Sequence, residues 1–66
     1  MEVLINGRPE SFAVPPTVAQ VLTQRQLAGK RVAVERNGDI VPKSRHDATL
    51  LADGDRIEIV VAVGGG

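Results

Sequence analysis

The residues most open to a chemical role are the last three of the chain, Gly64, Gly65 and Gly66. They follow an alternating apolar segment, Arg56 to Val63, and no further element comes after them. Glycine has no Cβ atom, so a glycine run can thread a channel too narrow for other residues while its backbone groups stay free to bond the channel walls. We therefore expect the Gly66 α-carboxylate to be the reactive group, with Gly64 and Gly65 giving it access to a partner's active site.

This glycine tail, residues 64–66, has a second interpretation as a frayed terminus or a remnant of cloning. Ordering three such residues on binding costs roughly 1 to 2 kcal/mol for each residue. That cost suits a carrier that must release its partner after each transfer, because the tail adds reach without locking the complex. Composition alone does not choose between the two interpretations.

Size and composition restrict the function further. A chain of 66 residues buries only roughly 60% of its unfolded surface, which leaves little core for a deep substrate cavity and argues against a self-sufficient enzyme. Eight Lys and Arg balance eight Asp and Glu, so there is no electrostatic footprint for nucleic acid or an anionic membrane. Without cysteine, leader or membrane-spanning apolar run, the sequence predicts a soluble cytoplasmic protein whose partners are proteins or small molecules.

Other chemical sites are not expected. His46 is the only histidine, lies in the polar segment Lys43–Ala48 and has no cysteine to pair with, so we expect it to be solvated rather than a metal ligand or nucleophile. Asp53-Gly54-Asp55 lacks the further oxygen ligands of a calcium loop and is interpreted as a turn. The sequence thus predicts no metal site and no catalytic residue.

Strand and turn signals divide the rest of the chain into short elements. Asn6-Gly7 and Asn37-Gly38 are typical of tight hairpin turns, and Pro9 predicts an edge strand. Apolar alternation and flanking turn residues predict strands at Glu2–Ile5, Glu10–Val14, Val32–Glu35, Ile40–Val41, Leu50–Leu51 and Arg56–Val63.

One helix is predicted after Pro15-Pro16. Thr17 and Gln20 have the spacing of a capping box, in which each side chain accepts a hydrogen bond from the other residue's backbone amide. Gly29 is placed to terminate the helix. An apolar stripe at three- and four-residue spacing consists of Val18, Val21, Leu22 and Leu27. We therefore expect the helix to pack against the sheet and not to take part in catalysis.

These elements predict an α+β fold in which one helix lies across one face of a mixed sheet of four to five strands. This is the β-grasp, or ubiquitin-like, arrangement. We expect residues 1–63 to form the β-grasp domain and residues 64–66 to be a flexible C-terminal tail. By analogy with that fold, the first and last strands lie side by side in parallel at the centre of the sheet.

The last strand also predicts a docking surface. Its alternation assigns Ile57, Ile59, Val61 and Val63 to the core face and Arg56, Glu58, Val60 and Ala62 to the outer face. Adding the outward residues of the first and third strands gives an outer apolar patch of Leu4, Ala33, Val60 and Ala62. We expect partners to dock on this patch, although scattered surface apolar residues are also ordinary.

Three segments together carry a resemblance to a known family. They are Val32–Pro42, Asp53–Ile59 and the terminal Val63–Gly66, in this order and in a chain this short. The chain resembles the sulfur carrier proteins of thiamin (thiazole) biosynthesis, the ThiS family, over essentially its whole length. It departs from them in lacking an aromatic residue near the tail. This difference affects how a partner binds the last strand, not what the tail does.

The resemblance implies a reaction cycle on the Gly66 carboxylate. A partner adenylyltransferase of the ubiquitin-activating type uses ATP and magnesium to form an acyl-adenylate. A persulfide, commonly charged by a cysteine desulfurase, then supplies sulfur to give a thiocarboxylate, and thiazole synthase accepts that sulfur. The carrier itself holds no catalytic residue and no stably bound cofactor.

Three alternatives remain open at this point. The small subunit of molybdopterin synthase is another β-grasp protein with a terminal thiocarboxylate, disfavoured by the short chain and by the pattern from Val34 to Pro42. A ubiquitin-like modifier uses the same activated terminus for conjugation to lysine. A non-catalytic ubiquitin-like interaction module uses the sheet surface and not the tail.

Overall fold

The computed structural model describes residues 1–62 of the chain. Val63 and the predicted glycine tail lie outside the described residues, so the division into a domain and a flexible tail stays a prediction. The elements are β1 (Glu2–Ile5), β2 (Arg8–Ser11), α1 (Val18–Gln24), β3 (Val32–Arg36), β4 (Asp39–Val41), one turn of 3₁₀ helix (Lys43–Arg45) and β5 (Arg56–Val61). The five strands form one sheet in the order β2-β1-β5-β3-β4.

The central position of β5 confirms the predicted topology. β5 is parallel to β1, where Leu4 and Ile5 lie opposite Arg56 and Ile57. It is antiparallel to β3 over five residue pairs. The strand that leads to the tail is therefore held on both sides.

Both predicted hairpin turns are present, with positive φ angles at Asn6 (52°), Gly7 (81°), Asn37 (53°) and Gly38 (89°). Such angles are those of a two-residue turn whose twist matches that of the flanking strands. The turn fixes the register of β2, because Ile5 pairs with Arg8 directly after it.

The predicted bounds of the second strand are wrong, because the Asn6-Gly7 turn starts the strand directly at Arg8. The strand begins at Arg8 and ends at Ser11, whereas Glu10–Val14 was expected, and Val14 is 74% exposed. The prediction from Pro9 that the second strand lies at the edge is confirmed, since β2 is outermost in the sheet, and Pro9 itself lies within it.

The helix begins as the sequence predicts. The Gln20 amide donates to Thr17 Oγ1 at 3.1 Å and the Thr17 amide donates to Gln20 Oε1 at 2.9 Å, which completes the capping box. Loss of such a cap costs about 1 kcal/mol.

Within residues 1–62, no helix combines the length and apolar composition that a membrane crossing requires.

The predicted helix end at Gly29 is wrong. The helix ends at Gln24, and Gln26 takes the positive φ angle of 61° at its C-terminal side. The Leu27 amide then donates back to the Leu22 carbonyl at 2.8 Å, which places Leu27 against the core. Gly29 has a positive φ angle in the turn that follows.

The core lies between the helix and one face of the sheet. Its buried residues are Val3, Ile5, Val18, Val21, Leu22, Val34, Leu51, Ile57 and Ile59. The predicted core face of β5 is confirmed for Ile57 and Ile59, whereas Val61 on the same face is 39% exposed and Val63 lies outside the described residues. Within residues 1–62 the core therefore ends at Ile59, and the opposite face of the sheet carries exposed side chains.

The segment after β4 differs most from its prediction as a polar loop. Lys43–Arg45 forms a turn of 3₁₀ helix, and His46 is only 7% exposed rather than solvated. Its Nε2 lies 3.1 Å from the Val41 carbonyl, and its own carbonyl accepts from the Ala19 amide at 3.0 Å. His46 thus joins β4 to the helix, which is a structural role.

The predicted strand at Leu50–Leu51 is reduced to one bridge, between Thr17 and Leu50. Leu51 is buried in the core, while Leu50 is exposed. The Leu51 amide donates to the Pro16 carbonyl at 2.9 Å, so this segment is tied to the start of the helix rather than to the sheet.

Candidate functional site

The candidate site is built on the end of β5, from which the chain continues to the tail. On the β3 side, pairing extends to Val32 opposite Val61, and the Ala62 amide donates to the Arg31 carbonyl at 2.9 Å. On the β1 side, backbone pairing stops earlier, at Ile57, whose carbonyl accepts from the Asn6 amide at 2.9 Å. The last described residue is therefore anchored through β3.

The side chain of Asn6 continues the pairing where β1 stops. Its Oδ1 accepts from the Ile59 amide at 2.7 Å and its Nδ2 donates to the Ile59 carbonyl at 3.2 Å. A carboxamide has the same donor and acceptor as a peptide group, so it takes the place of the next strand residue. Asn6 thereby serves both the hairpin turn and the central strand.

Asn37 in the second hairpin turn does the same on the other side of β5. Its Oδ1 accepts from the Arg56 amide at 2.9 Å, and its own amide donates to the Arg56 carbonyl at 2.8 Å. Its Nδ2 donates to Asp55 Oδ1 at 3.0 Å. The two Asn-Gly turns therefore hold opposite edges of the strand that carries the tail.

Replacing each asparagine with glycine tests this arrangement, because glycine keeps the positive φ angle of the turn and removes only the side chain. We expect Asn6→Gly to cost about 1 to 2 kcal/mol of stability and to accelerate amide hydrogen exchange at Ile59. Asn37→Gly is the matched control and should accelerate exchange at Arg56 instead. Equal acceleration at both amides in either variant would contradict separate roles for the two side chains.

A buried carboxylate, Asp55, fixes the start of β5. Its oxygens accept from Arg36 Nε at 2.8 Å, from Asn37 Nδ2 at 3.0 Å and from the Ala52 amide at 2.8 Å. Burial by itself raises the pKa of Asp55, but the hydrogen bonds from Ala52 and Asn37 and the charge of Arg36 outweigh it and hold the pKa below its ordinary value. Each donor favours the ionised form, so this cluster is a stabilising network.

The outer apolar patch is brought together only in part. Ala33 lies opposite Val60 in the sheet, and Val60 is 61% exposed. Leu4 lies opposite Arg56, four residues earlier on β5, which separates it from Val60 by roughly 13 Å along the strand. Ala33, Val60 and Ala62 therefore form one group, and Leu4 lies apart from it.

Pairing across β3 shows what else lies on the outer face. Glu35 is directly opposite Glu58 on β5 and opposite Ile40 on β4, and Ile40 is exposed. Two like charges in opposite positions repel each other. The register set by the Asn37-Gly38 turn could have predicted Ile40 as an outward residue, because the turn places it opposite Glu35.

A cleft of about 650 Å³ opens beside the end of β5. It extends from the helix and the loop after it to the first residues of β3, the end of β5 and the 3₁₀ turn. Its lining includes Ala33, Val60 and Ala62, three of the four residues predicted for docking. Sequence reasoning missed the cleft, because helix, loop and 3₁₀ turn are brought together by contacts between distant segments, among them those of His46 and Leu27.

The predicted reactive and access residues, Gly66, Gly64 and Gly65, lie outside the described residues. Within residues 1–62, no three His, Asp or Glu side chains converge as a metal site. What the described part offers is a strand held on both edges, an adjoining cleft and an open sheet face. Such an arrangement can present a terminus to another protein.

Comparisons with known proteins agree on one family. A family model described as the ThiS family matches residues 3–66. A Bacillus subtilis protein named sulfur carrier protein ThiS is 48% identical over 50 residues, which are 76% of each chain. A crystal structure of a thiamine biosynthesis protein (ThiS) from Geobacter metallireducens superimposes with a TM-score of 0.82 at 32% identity, covering 100% of both chains. The structural match confirms the β-grasp prediction.

A longer relative contains a segment similar to the whole chain. A Paramagnetospirillum magneticum protein named thiazole synthase is 42% identical over 66 residues. The chain spans about a fifth of the length of that relative, since the match covers 20% of it.

Proposed function

The chain belongs to the ThiS family of sulfur carriers, and on this premise we propose that it carries sulfur on Gly66 as a thiocarboxylate in thiamin thiazole biosynthesis. The prediction of a small carrier rather than an enzyme is confirmed by the family, as is the prediction of a ubiquitin-like β-grasp fold. The observation that carries the proposal is the family match through residue 66, which includes the glycine tail.

The proposed cycle begins at the Gly66 carboxylate. A carboxylate is a poor electrophile, so a partner adenylyltransferase of the ubiquitin-activating type converts it with ATP and magnesium to an acyl-adenylate, from which AMP is a good leaving group. A persulfide, such as one charged by a cysteine desulfurase, displaces AMP to form an acyl disulfide. A second thiol then cleaves the S–S bond, which releases the thiocarboxylate and leaves a disulfide on the sulfur donor. Gly64 and Gly65 give the terminus passage to the active site because they lack Cβ atoms.

Thiazole synthase is the proposed acceptor of the sulfur. The longer relative that bears this name includes a segment 42% identical to the whole chain. Two activities joined in one protein in one organism commonly act on each other as separate chains elsewhere. This observation favours the thiazole route over the molybdopterin route.

The folded body supplies recognition in this proposal. Because Val60 is exposed and lies with Ala33 and Ala62 at the base of the tail, we expect Val60→Asp to keep the fold and weaken adenylyltransferase binding about tenfold. Calorimetric titration measures the affinity. Val14→Asp is the matched control, since Val14 is also an exposed valine but lies outside the sheet. Unchanged affinity in Val60→Asp would exclude this group from docking.

Mass spectrometry tests the function as a whole. The chain is incubated with ATP, magnesium, the adenylyltransferase and a sulfur source, and the intact mass is measured. Replacement of one terminal oxygen by sulfur supports a carrier, and transfer to thiazole synthase then tests the pathway. A branched adduct on lysine would instead indicate a modifier, and an unchanged mass an interaction module.

A further inference from the structure

The cleft beside β5 combines an apolar floor with a cationic rim. Leu22, Leu27 and Val32 contribute apolar surface to its lining. Its charged lining residues are Lys30, Arg31, Lys43 and Asp47. Three cations against one carboxylate give the cleft a positive potential, although the chain as a whole has a formal net charge of zero.

Backbone hydrogen bonds tie the residues that carry the cations to neighbouring segments. The Lys30 amide donates to the Leu27 carbonyl at 3.1 Å, and the Arg31 carbonyl accepts from Ala62 at 2.9 Å. Lys43 begins the 3₁₀ turn, where its carbonyl accepts from the His46 amide at 3.1 Å. A ligand that binds here finds these backbone bonds already formed, which reduces the entropic cost of association.

The charges of the three cations are not neutralised within the described residues. The ion pairs formed there are Arg25 with Glu10 and Arg36 with Asp55, and neither includes a cleft residue. Negative charge lies on the outer face of β3 and β5, at Glu35 and Glu58. Each of these residues is two positions from a cleft residue on its own strand, Ala33 or Val60. The body is therefore cationic at the base of the tail and anionic toward the middle of the sheet.

We propose that this cleft seats an acidic segment of the partner adenylyltransferase. An apolar side chain of that segment packs against the floor, and its carboxylates face Lys30, Arg31 and Lys43. A protein segment fits better than a small anion, because the cations come from two separate segments, the loop before β3 and the 3₁₀ turn, and line an open cleft together with apolar side chains. The proposal rests on the proposed function, and it gives the partner a charge pattern that fixes the direction in which the tail enters.

Charge reversal tests the proposal. We expect the double variant Lys30→Glu with Arg31→Glu to raise the KM for the carrier in adenylation by at least about tenfold, with kcat at saturation unchanged. The matched control is Arg8→Glu with Arg56→Glu, which makes the same change in net charge at exposed positions outside the cleft. The control should stay within about twofold of the parent chain. Circular dichroism and melting curves show that each variant is folded.

Salt dependence gives a second readout. Between about 50 and 300 mM salt the KM of the parent chain should rise, while that of the cleft variant should change little, because screening weakens only an attraction that is present. Equal effects of the two double variants, or no effect of the cleft variant, would overturn the proposal.

Two further measurements separate the proposals from each other. Calorimetric titration with the enzyme measures binding without any reaction. Charge-dependent binding without adenylation would contradict the proposed function and support the cleft proposal. Absence of binding by the parent chain would overturn the cleft proposal. Inorganic phosphate or AMP alone should not raise the melting temperature of the parent chain. A rise that the cleft variant abolishes would make the cleft a small-anion site and overturn the proposal.

Discussion

A chain that ends at Gly64 should melt at the same temperature as the parent chain and accept no AMP from the adenylyltransferase. Among residues 1–62 the buried core runs from Val3 to Ile59, so we expect the removal of Gly65 and Gly66 to leave this core intact. The remaining carboxylate, however, falls short of its reaction position by about 7 Å, the length of two extended residues. A displacement of that size is expected to reduce the rate at least a hundredfold, given that about 1 Å can cost that much.

Calorimetry and ATP-dependent pyrophosphate exchange measure the two halves of this prediction. Gly65→Val is the companion variant, because it keeps the length of the tail and adds a side chain where passage is proposed to require none. We expect it to melt normally and to be a poor substrate. AMP transfer to the truncated chain at the normal rate would contradict the tail mechanism.

The largest expected effect on stability is at Asp55. Its side chain is 8% exposed and accepts three hydrogen bonds. Asp55→Asn removes the charge and places an amide donor against the donors of Arg36 and Asn37. The Arg36 side chain is 33% exposed and can be solvated, so we expect a loss of about 2 kcal/mol rather than the larger cost of an orphaned buried charge. For a domain of this size that lowers the melting temperature by roughly 10 °C.

Asp53→Asn is the control within the same turn. Asp53 Oδ1 accepts one hydrogen bond, from the Glu2 amide at 2.7 Å, at an exposed position. Its replacement should cost less than about 1 kcal/mol. Equal melting temperatures for the two variants would show that the buried network adds nothing beyond an ordinary turn contact.

Asp55 also makes stability depend on pH. Because the pKa of Asp55 is lower in the folded chain than in the unfolded chain, the unfolded state takes up its proton first as the pH falls. The contribution is therefore complete at neutral pH, begins to decline near pH 4, and is lost below the folded-state pKa. Melting curves of the parent chain and Asp55→Asn should accordingly converge in acid.

The local parts of the fold could be predicted because short-range chemistry determines them. Asn6-Gly7 and Asn37-Gly38 supply the positive φ angles of their turns, and the Thr17 to Gln20 spacing supplies the cap. The parallel pairing of β1 with β5 came from fold analogy and is also confirmed. Each of these features depends on residues within a few positions of one another or on a known arrangement of elements.

The remaining features depend on contacts between distant segments. His46 looks like a solvated loop residue until the 3₁₀ turn carries it against Val41 and Ala19. Leu4 has the correct face for the predicted patch, but periodicity gives no register, and its position opposite Arg56 separates it from Val60. The cleft escaped prediction for the same reason, since no local pattern reports how a loop packs beside a strand.

The two asparagines that hold β5 also determine how the chain responds to mechanical force. A pull on the terminus acts along the axis of β5, perpendicular to its hydrogen bonds with β3 and with Asn6. These bonds are then loaded together in shear, rather than opened one after another from the end. Tension on the terminus is therefore shared among several hydrogen bonds of the central strand, which resist it better than they would resist a force that opened them one at a time.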